Sequence, residues 1–151
     1  MEPNTGNTSY RGGNVRNVLF DTGALVALLD RSEKNHAPCL EFFEGFHGRL
    51  LSTEPVLTEA IYLCAPSAQA QKACIDFFLK GAAVLVPQSP RSLSRIAVLM
   101  EKYQNVPMDF ADATLVALGE EAQIRDVFTL DRRGFGVYRL HSKKLFTIWP
   151  E

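Results

Sequence analysis

The chain divides into a polar start and a long stretch in which short apolar runs alternate with helical patterns. Residues 1–17 hold few apolar side chains and several Asn and Gly residues, so we expect a flexible leader there. Residues 18–21, VLFD, are typical of a short buried strand. In residues 24–29 the leucines recur at helical spacing, which predicts a helix. The domain is therefore expected to span residues 18–151.

The rest of the chain continues this alternation. Further strands are predicted at residues 49–53, 83–86 and 126–130, with one or two more within 137–140 and 145–149. Further helices are predicted at residues 39–46, 55–64, 68–80, 90–103 and 109–123. Parallel strands that neighbour one another need crossover connections, which are usually helices. The pattern therefore predicts an α/β domain with a central, mainly parallel sheet of four or five strands.

Composition narrows the class of protein. Of the 151 residues, 46% are hydrophobic and 22% are charged, which is ordinary globular usage and excludes a fibrous or wholly disordered chain. No stretch has the length and apolarity of a membrane span or a secretory signal. The cysteines Cys39, Cys64 and Cys74 lack zinc-ligand spacing and fit a reducing compartment, so we expect a cytoplasmic protein.

Five acidic residues fall where parallel α/β sheets bind their ligands, beyond the carboxyl ends of the strands. Asp21 ends the first predicted strand, Asp131 follows the fourth, and Glu59 lies in the helix after the second. Asp109 and Asp112 share one face of the first turn of a helix. Grouped carboxylates repel one another unless a cation lies among them, and Mg²⁺ or Mn²⁺ prefers such oxygen ligands. The pattern predicts metal-assisted phosphodiester hydrolysis, since a bound ion activates water and neutralises phosphate charge.

Each acid also has an ordinary structural explanation. Asp21 and Asp109 are favourable helix N-caps, Asp112 suits the first turn of a helix, and Asp131 suits the start of a turn. For each of these four acids considered alone, the structural explanation is favoured over the functional one. Glu59 differs because it stands inside an apolar helix, where structural and functional explanations carry similar weight. The joint position of the acids at the strand ends favours a site.

Four segments, in sequence order, carry a family resemblance: VLFDTGALVALLD, LSTEPVLTEA, MDFADATLVAL and VFTLDRRGF. Together they resemble the PIN-domain family, particularly the VapC-type toxin ribonucleases, over residues 18–149. No single segment is specific for this family, but the order and spacing of all four segments are. The resemblance implies a three-layer α/β/α fold and a metal-dependent ribonuclease that hydrolyses RNA phosphodiester bonds. It further implies a homodimer and, for the toxins of type II toxin–antitoxin pairs, a small antitoxin partner.

The resemblance also assigns roles to residues. It implies that one or two Mg²⁺ or Mn²⁺ ions are held by the four catalytic acids, Asp21, Glu59, Asp112 and Asp131. Thr129 matches a hydroxyl position that supports the acids, and Asp109 matches an extra acid of some relatives, so we expect supporting roles for both. Gly23 departs from the family, in which many relatives carry serine at this position.

The distribution of charge is compatible with a polyanionic substrate. The formal net charge is −1, from 16 basic and 17 acidic residues. Setting the five site acids aside leaves 12 acidic residues against 16 basic ones, a balance of +4. Arg132 and Arg133 directly follow Asp131, so we expect them to bind phosphates of the RNA substrate. For the basic residues of the tail, Arg139, Lys143 and Lys144, an ordinary solvated surface is as good an explanation as contact with flanking phosphates.

Two other interpretations of the acids remain open. The segment LFDTGA matches an aspartic protease motif, although those enzymes are all-β and helical leucine spacing follows the motif here. Some PIN-domain relatives have lost acids and act as RNA-binding or scaffold modules without turnover. All four principal acids are present in this sequence, which favours an enzyme.

Two pairs of adjacent phenylalanines, at 42–43 and 77–78, lie on predicted helices. Adjacent helical residues point about 100° apart, so both rings of a pair do not share one direction. We expect one ring of each pair to face the core and the other to be exposed as a partner surface.

Overall fold

A computed structural model of the chain describes residues 15–141 and 143–151. Residues 1–14 of the predicted leader lie outside the described residues, so the division of the chain at residue 17 stays a prediction. The first strand begins at Arg16, two residues before the predicted start.

The secondary structure alternates along the chain as the hydrophobic pattern predicts. The strands are β1 (Arg16–Phe20), β2 (Gly48–Ser52), β3 (Val84–Leu85), β4 (Asp126–Phe128), β5 (Arg139–Leu140), β6 (Lys144–Leu145) and β7 (Thr147–Trp149). The helices are α1 (Thr22–Leu29), α2 (His36–Gly45), α3 (Glu54–Cys64), α4 (Ala68–Leu79), α5 (Pro90–Lys102), α6 (Phe110–Ala122) and α7 (Arg132–Val137). Within the described residues, no helix has the length and apolarity needed to cross a membrane.

A five-stranded sheet forms the centre of the domain, in the order β3-β2-β1-β4-β7, and every pair in it is parallel. β5 and β6 form a separate antiparallel pair. The predicted α/β class and the central parallel sheet are therefore confirmed. Because aspartic proteases are all-β, the protease interpretation of LFDTGA is wrong: the residues after Asp21 form helix α1.

Helices cover both faces of the sheet. Alternate residues of a strand point to opposite faces. In β1, Leu19 packs into a core with α5, α6 and α7. Its neighbours Val18 and Phe20 pack into a second core with α1, α2 and α4. The sheet is thus the middle layer of three.

Helix α7 was not predicted. The sequence pattern predicts a turn after Asp131 and a strand from residue 137, but residues 132–137 are helical and β5 covers only Arg139–Leu140. The Asp131 side chain accepts a hydrogen bond from the backbone N–H of Gly134, and Phe135 is fully buried. A cap and one buried ring are therefore enough to fix this short helix against the sheet.

The expectation of an exposed ring in each phenylalanine pair is wrong. Phe42, Phe43, Phe77 and Phe78 are all half-buried and pack against the second core. The Phe42 ring lies 4.6 Å from the ring of Phe128, and the Phe77 ring lies 5.4 Å from that of Phe20, measured between centroids. The space between the sheet and its helices accommodates both rings of each pair.

Candidate active site

Three helix N-termini meet at the carboxyl edge of the sheet, and an aspartate caps each of them. Asp21 follows β1 and caps α1, Asp131 follows β4 and caps α7, and Asp109 caps α6. β1 and β4 are adjacent and parallel, so their carboxyl ends lie side by side. Backbone N–H groups at a helix start favour negative charge. All three acids therefore act as helix caps, and capping is compatible with a further role as ligands.

Thr129 links the acids that follow β1 and β4. Its hydroxyl donates a hydrogen bond of 2.6 Å to Asp21 Oδ2 and accepts one of 3.0 Å from the backbone N–H of Asp131. Asp21 Oδ1 accepts a further bond of 2.8 Å from the backbone N–H of Thr22. Both oxygens of the buried Asp21 carboxylate are thus held in fixed directions.

A capping box holds the two acids at the start of α6. Asp109 Oδ1 accepts a hydrogen bond of 2.7 Å from the backbone N–H of Asp112. Asp112 Oδ2 accepts one of 3.2 Å from the backbone N–H of Asp109, and the Tyr138 hydroxyl lies 3.4 Å from the same oxygen as a donor. In Asp109 and Asp112, one carboxylate oxygen is engaged in the box and the other remains for further contacts.

The acids act on one another electrostatically. Burial, together with the charges of Asp21 and Asp109, raises the pKa of Asp112 to about 8. Burial and the neighbouring Asp109 raise the pKa of Glu59, on α3, to about 7. Burial raises the pKa of Asp21 to about 6 even though the hydrogen bond from Thr129 lowers it, and Asp131 and Asp109 raise it further. The five acids predicted to converge are therefore coupled to one another through space.

These acids have the donor chemistry of a hard divalent cation site. Their ligand atoms are carboxylate oxygens, and a cation among them would offset the burial and the mutual repulsion that raise the pKa values of Asp21, Glu59 and Asp112. Within residues 15–141 and 143–151, no Lys or Arg forms an ion pair with any of the five. As the side chains stand, no three His, Cys, Asp or Glu residues in that part of the chain are arranged to hold a metal ion. The residue types fit the cation, and the side chains would have to close around it.

The predicted phosphate-binding arginines lie in the first turn of α7, and both are exposed. One guanidinium nitrogen of Arg132 donates a hydrogen bond to the carbonyl of Pro150, which holds this side chain against the C-terminal segment. Arg133 follows it on the helix surface. The structure therefore places both arginines next to Asp131 in the chain, with Arg132 partly engaged within the protein.

Sequence reasoning missed two residues that shape the site. Tyr138 is fully buried, and burial and the nearby Asp112 raise the pKa of its hydroxyl, which keeps it a hydrogen-bond donor. A Cβ atom at Gly134 would overlap the carboxylate of Asp131, so any larger residue there would displace this carboxylate. Both belong to or directly follow α7, which was not predicted, so no local pattern pointed to them.

The departure at Gly23 has no steric cause. A Cβ atom built there meets Leu130 Cβ at 3.5 Å, which is ordinary van der Waals contact. A Cβ atom therefore fits at this position, and the glycine leaves the chain without the hydroxyl that a serine would supply.

Comparisons with known proteins agree with this architecture. Residues 18–139 match the family described as PIN domain. Ribonuclease VapC26 of Mycobacterium tuberculosis is 30% identical over 135 residues, which cover 88% of this chain and 100% of that relative.

Solved structures show the same fold at low sequence identity. VapC20 of Mycobacterium tuberculosis, described as a sarcin-ricin loop cleaving toxin, superposes with a TM-score of 0.68 at 16% identity, over 73% of this chain and 86% of that chain. VapBC2 from Rickettsia felis, bound to a DNA fragment of its promoter, gives a TM-score of 0.63 at 13% identity, over 89% of this chain and 99% of that chain. At such identities the likeness establishes the fold alone.

Proposed function

The chain belongs to the PIN-domain family, and from this premise we propose that it is a metal-dependent ribonuclease that hydrolyses RNA phosphodiester bonds. We further propose that it is the toxin of a type II toxin–antitoxin pair. A relative described as a ribonuclease is 30% identical to this chain, and the match covers 100% of that relative. The observation that carries the proposal is the group of five coupled carboxylates at the edge of the sheet, three of them with raised pKa values. Such a group favours a divalent cation, and a phosphodiester is the substrate that this chemistry suits.

In this proposal, four acids hold Mg²⁺ or Mn²⁺: Asp21, Glu59, Asp112 and Asp131. When bound, the ion supplies charge neutralisation at the phosphate and lowers the pKa of the attacking water. Asp109 supports the site by holding the backbone N–H of Asp112, and Thr129 supports it by fixing Asp21. Arg133 and the unengaged donors of Arg132 bind phosphates that flank the scissile bond.

The partners follow from the same family membership. We propose RNA as the substrate, a homodimer as the working form and a small antitoxin as the inhibitor. A structural neighbour from Klebsiella pneumoniae is described as a toxin–antitoxin complex. The compartment proposed is the cytoplasm, in keeping with the free thiols of Cys39, Cys64 and Cys74.

Cleavage of a mixed pool of structured and unstructured RNA tests the proposal. The purified protein is incubated with Mg²⁺, with Mn²⁺ or with EDTA, beside Asp112→Asn and the control Asp76→Asn. Asp76 is an aspartate on α4 whose pairing with Lys72 lies outside the site, so its variant controls for the loss of one charge. We expect metal-dependent cleavage that falls by at least about 10²-fold in Asp112→Asn, the effect of removing one group that acts on transition-state charge.

Two outcomes would count against the proposal. Equal cleavage by the wild type and Asp112→Asn would place the activity outside the acidic site. Metal binding and RNA binding without any cleavage, over a pool that includes ribosomal and transfer RNA, would favour the binding-module interpretation instead.

A further inference from the structure

A groove of about 830 Å³ opens beside the acidic edge, between helix α3 and the start of α6. Its lining includes Glu54, Glu59 and Tyr62 from α3, Gln88 from the segment before α5, and Asp109 and Phe110 at the start of α6. Glu59 and Asp109 belong to the acidic site as well. The groove and the site are therefore one continuous surface.

Two aromatic side chains are displayed in this groove. Tyr62 is 78% exposed and Phe110 is 42% exposed. Tyr62 lies three residues after Glu59, on the same face of α3, and Phe110 directly follows Asp109. Each wall of the groove thus presents one acid of the site and one open aromatic ring next to it.

The charge of the groove discriminates among the parts of an RNA strand. Its carboxylates, Glu54, Glu59 and Asp109, repel phosphate groups, whereas an uncharged base is free to enter. Unpaired bases stack on aromatic side chains and present their edges to polar groups. Glu54 and Gln88 offer acceptors for the amino groups of such edges. The volume of the groove lies in the range of ordinary small-ligand sites, so it has room for a base.

We propose that this groove binds an unpaired nucleobase next to the scissile phosphate, with Tyr62 and Phe110 as its stacking surfaces. The inference rests on the proposed ribonuclease function and adds a base-binding subsite formed by the aromatic residues of this chain. A phosphate held at the acids has its neighbouring base within one nucleotide, and Glu59 and Asp109 belong both to the acidic site and to the lining of the groove. Glu54 only accepts hydrogen bonds, so it favours bases that carry an exocyclic amino group, whereas the amide of Gln88 can donate or accept.

Equilibrium binding tests the proposal separately from cleavage. Fluorescence anisotropy with a labelled single-stranded RNA gives the dissociation constant of each variant, in Ca²⁺ so that a hard cation offsets the charge of the acids. A gel run after each titration verifies that the RNA is intact. We expect Tyr62→Ala and Phe110→Ala each to weaken binding about tenfold, the size of one lost base stack. Tyr62→Phe retains the ring and should bind as the wild type does. Leu79→Ala is the matched control, because Leu79 is 77% exposed on α4 and does not line the groove.

A second probe identifies the part of the RNA that binds. An oligonucleotide with consecutive abasic positions keeps its phosphates, so it should bind the wild type about tenfold more weakly and should no longer distinguish Tyr62→Ala from the wild type. This pattern would stand even if no cleavage were found, and cleavage without this pattern would leave the nuclease proposal intact.

Three results would overturn the inference. One is RNA affinity that is the same in the wild type and in both alanine variants. Another is the absence of measurable RNA binding by the wild type. A third is a change in sedimentation mass in Tyr62→Ala or Phe110→Ala with unchanged RNA affinity, which would make this face a surface between protein chains.

Discussion

Helix α6 carries Asp112 in its first turn and Glu120 in its last turn, and the two carboxylates have opposite electrostatic surroundings. Glu120, near the C-terminal end, is buried and receives hydrogen bonds of 2.9 and 3.1 Å from the guanidinium of Arg95. The backbone N–H of His141 donates a further bond of 3.1 Å to it. Asp112, near the N-terminal end, faces Asp21 and Asp109, and no Lys or Arg within the described residues forms an ion pair with it.

The difference separates an acid that stabilises the fold from an acid that is available to a ligand. Burying a carboxylate costs free energy unless a partner compensates it. Arg95 supplies that partner for Glu120 within the chain itself. The Asp112 carboxylate accepts one hydrogen bond from the backbone and one from Tyr138, but Asp21 and Asp109 beside it are acidic, so no cation within the described residues compensates its charge. Perturbed carboxylates of this kind mark functional sites.

The largest expected effect comes from breaking the pair that stabilises the fold. Arg95→Met keeps the aliphatic stem but leaves Glu120 buried without its cation. We expect the free energy of unfolding to fall by about 2 to 3 kcal/mol, less than for a fully buried pair, because the Arg95 side chain is 35% exposed. Urea unfolding monitored by circular dichroism measures it. The double variant Arg95→Met/Glu120→Gln should recover part of the loss; if it is less stable still, charge compensation is not the cause.

The next largest effect should have the opposite sign. Asp112→Asn removes a repelled charge, so the metal-free variant should be more stable than the wild type at pH 8, by about 1 to 2 kcal/mol in a site half open to solvent. The variant keeps a side-chain oxygen for the capping box. The same urea experiment in EDTA measures it, with Asp76→Asn as the control for a lost surface charge. A less stable Asp112→Asn would show that the cap outweighs the repulsion.

The pH dependence of that difference follows from the raised pKa values. Asp112 has its pKa raised from 3.8 to about 8, and Glu59 from 4.5 to about 7. Between the ordinary and the raised pKa of each group, the folded protein binds more protons than the unfolded chain. The contribution of Asp112 and Glu59 to stability is therefore complete near pH 4 and is lost as the pH rises through 7 and 8. The advantage of Asp112→Asn over the wild type should therefore shrink from pH 8 to pH 5. An advantage that is independent of pH would contradict this.

The smallest effect is expected at the hydroxyl that joins two of the acids. Thr129→Val preserves shape but removes the bond to Asp21 and the acceptor for the backbone N–H of Asp131. We expect a loss of about 1 kcal/mol in the free energy of unfolding and about a tenfold loss of metal affinity, as for other groups that orient metal ligands. Calorimetric titration with Mn²⁺ measures the affinity. Thr147→Val, on the exposed side of β7, should change neither quantity.

The sequence was sufficient to predict the sheet, because buried parallel strands such as β1 and β2 are short apolar runs between helices. The sequence was not sufficient to predict helix α7. Its six residues include two glycines and lack a helical apolar pattern, and the helix forms because Asp131 caps it and Phe135 is buried. The prediction of one exposed ring in each phenylalanine pair was wrong for a related reason. The burial of a ring depends on the neighbouring layer of the fold and not on helical geometry alone.

The position of the site was also predictable, whereas its contacts were not. Four of the acids directly follow strands or lie at the start of a helix, and Glu59 lies within the helix after β2, so their place at the carboxyl edge follows from topology. The bond from Thr129 to Asp21 joins residues 108 positions apart, and the contact of Tyr138 with Asp112 spans 26 positions. Such contacts depend on strand register and on the placement of α7, which local patterns do not encode. The catalytic roles of the acids stay predictions.

A metal titration of thermal stability tests whether the acids at the edge of the sheet bind a cation. Wild type and Asp112→Asn, both freed of metal with EDTA and held at pH 8, are unfolded with increasing Mg²⁺ or Mn²⁺. At a metal concentration about 100 times the dissociation constant, the melting temperature of the wild type should rise by about 5 °C or more, whereas that of Asp112→Asn should stay nearly constant. An equal rise in both proteins, or no rise in either, would contradict the claim that these acids are kept for a cation.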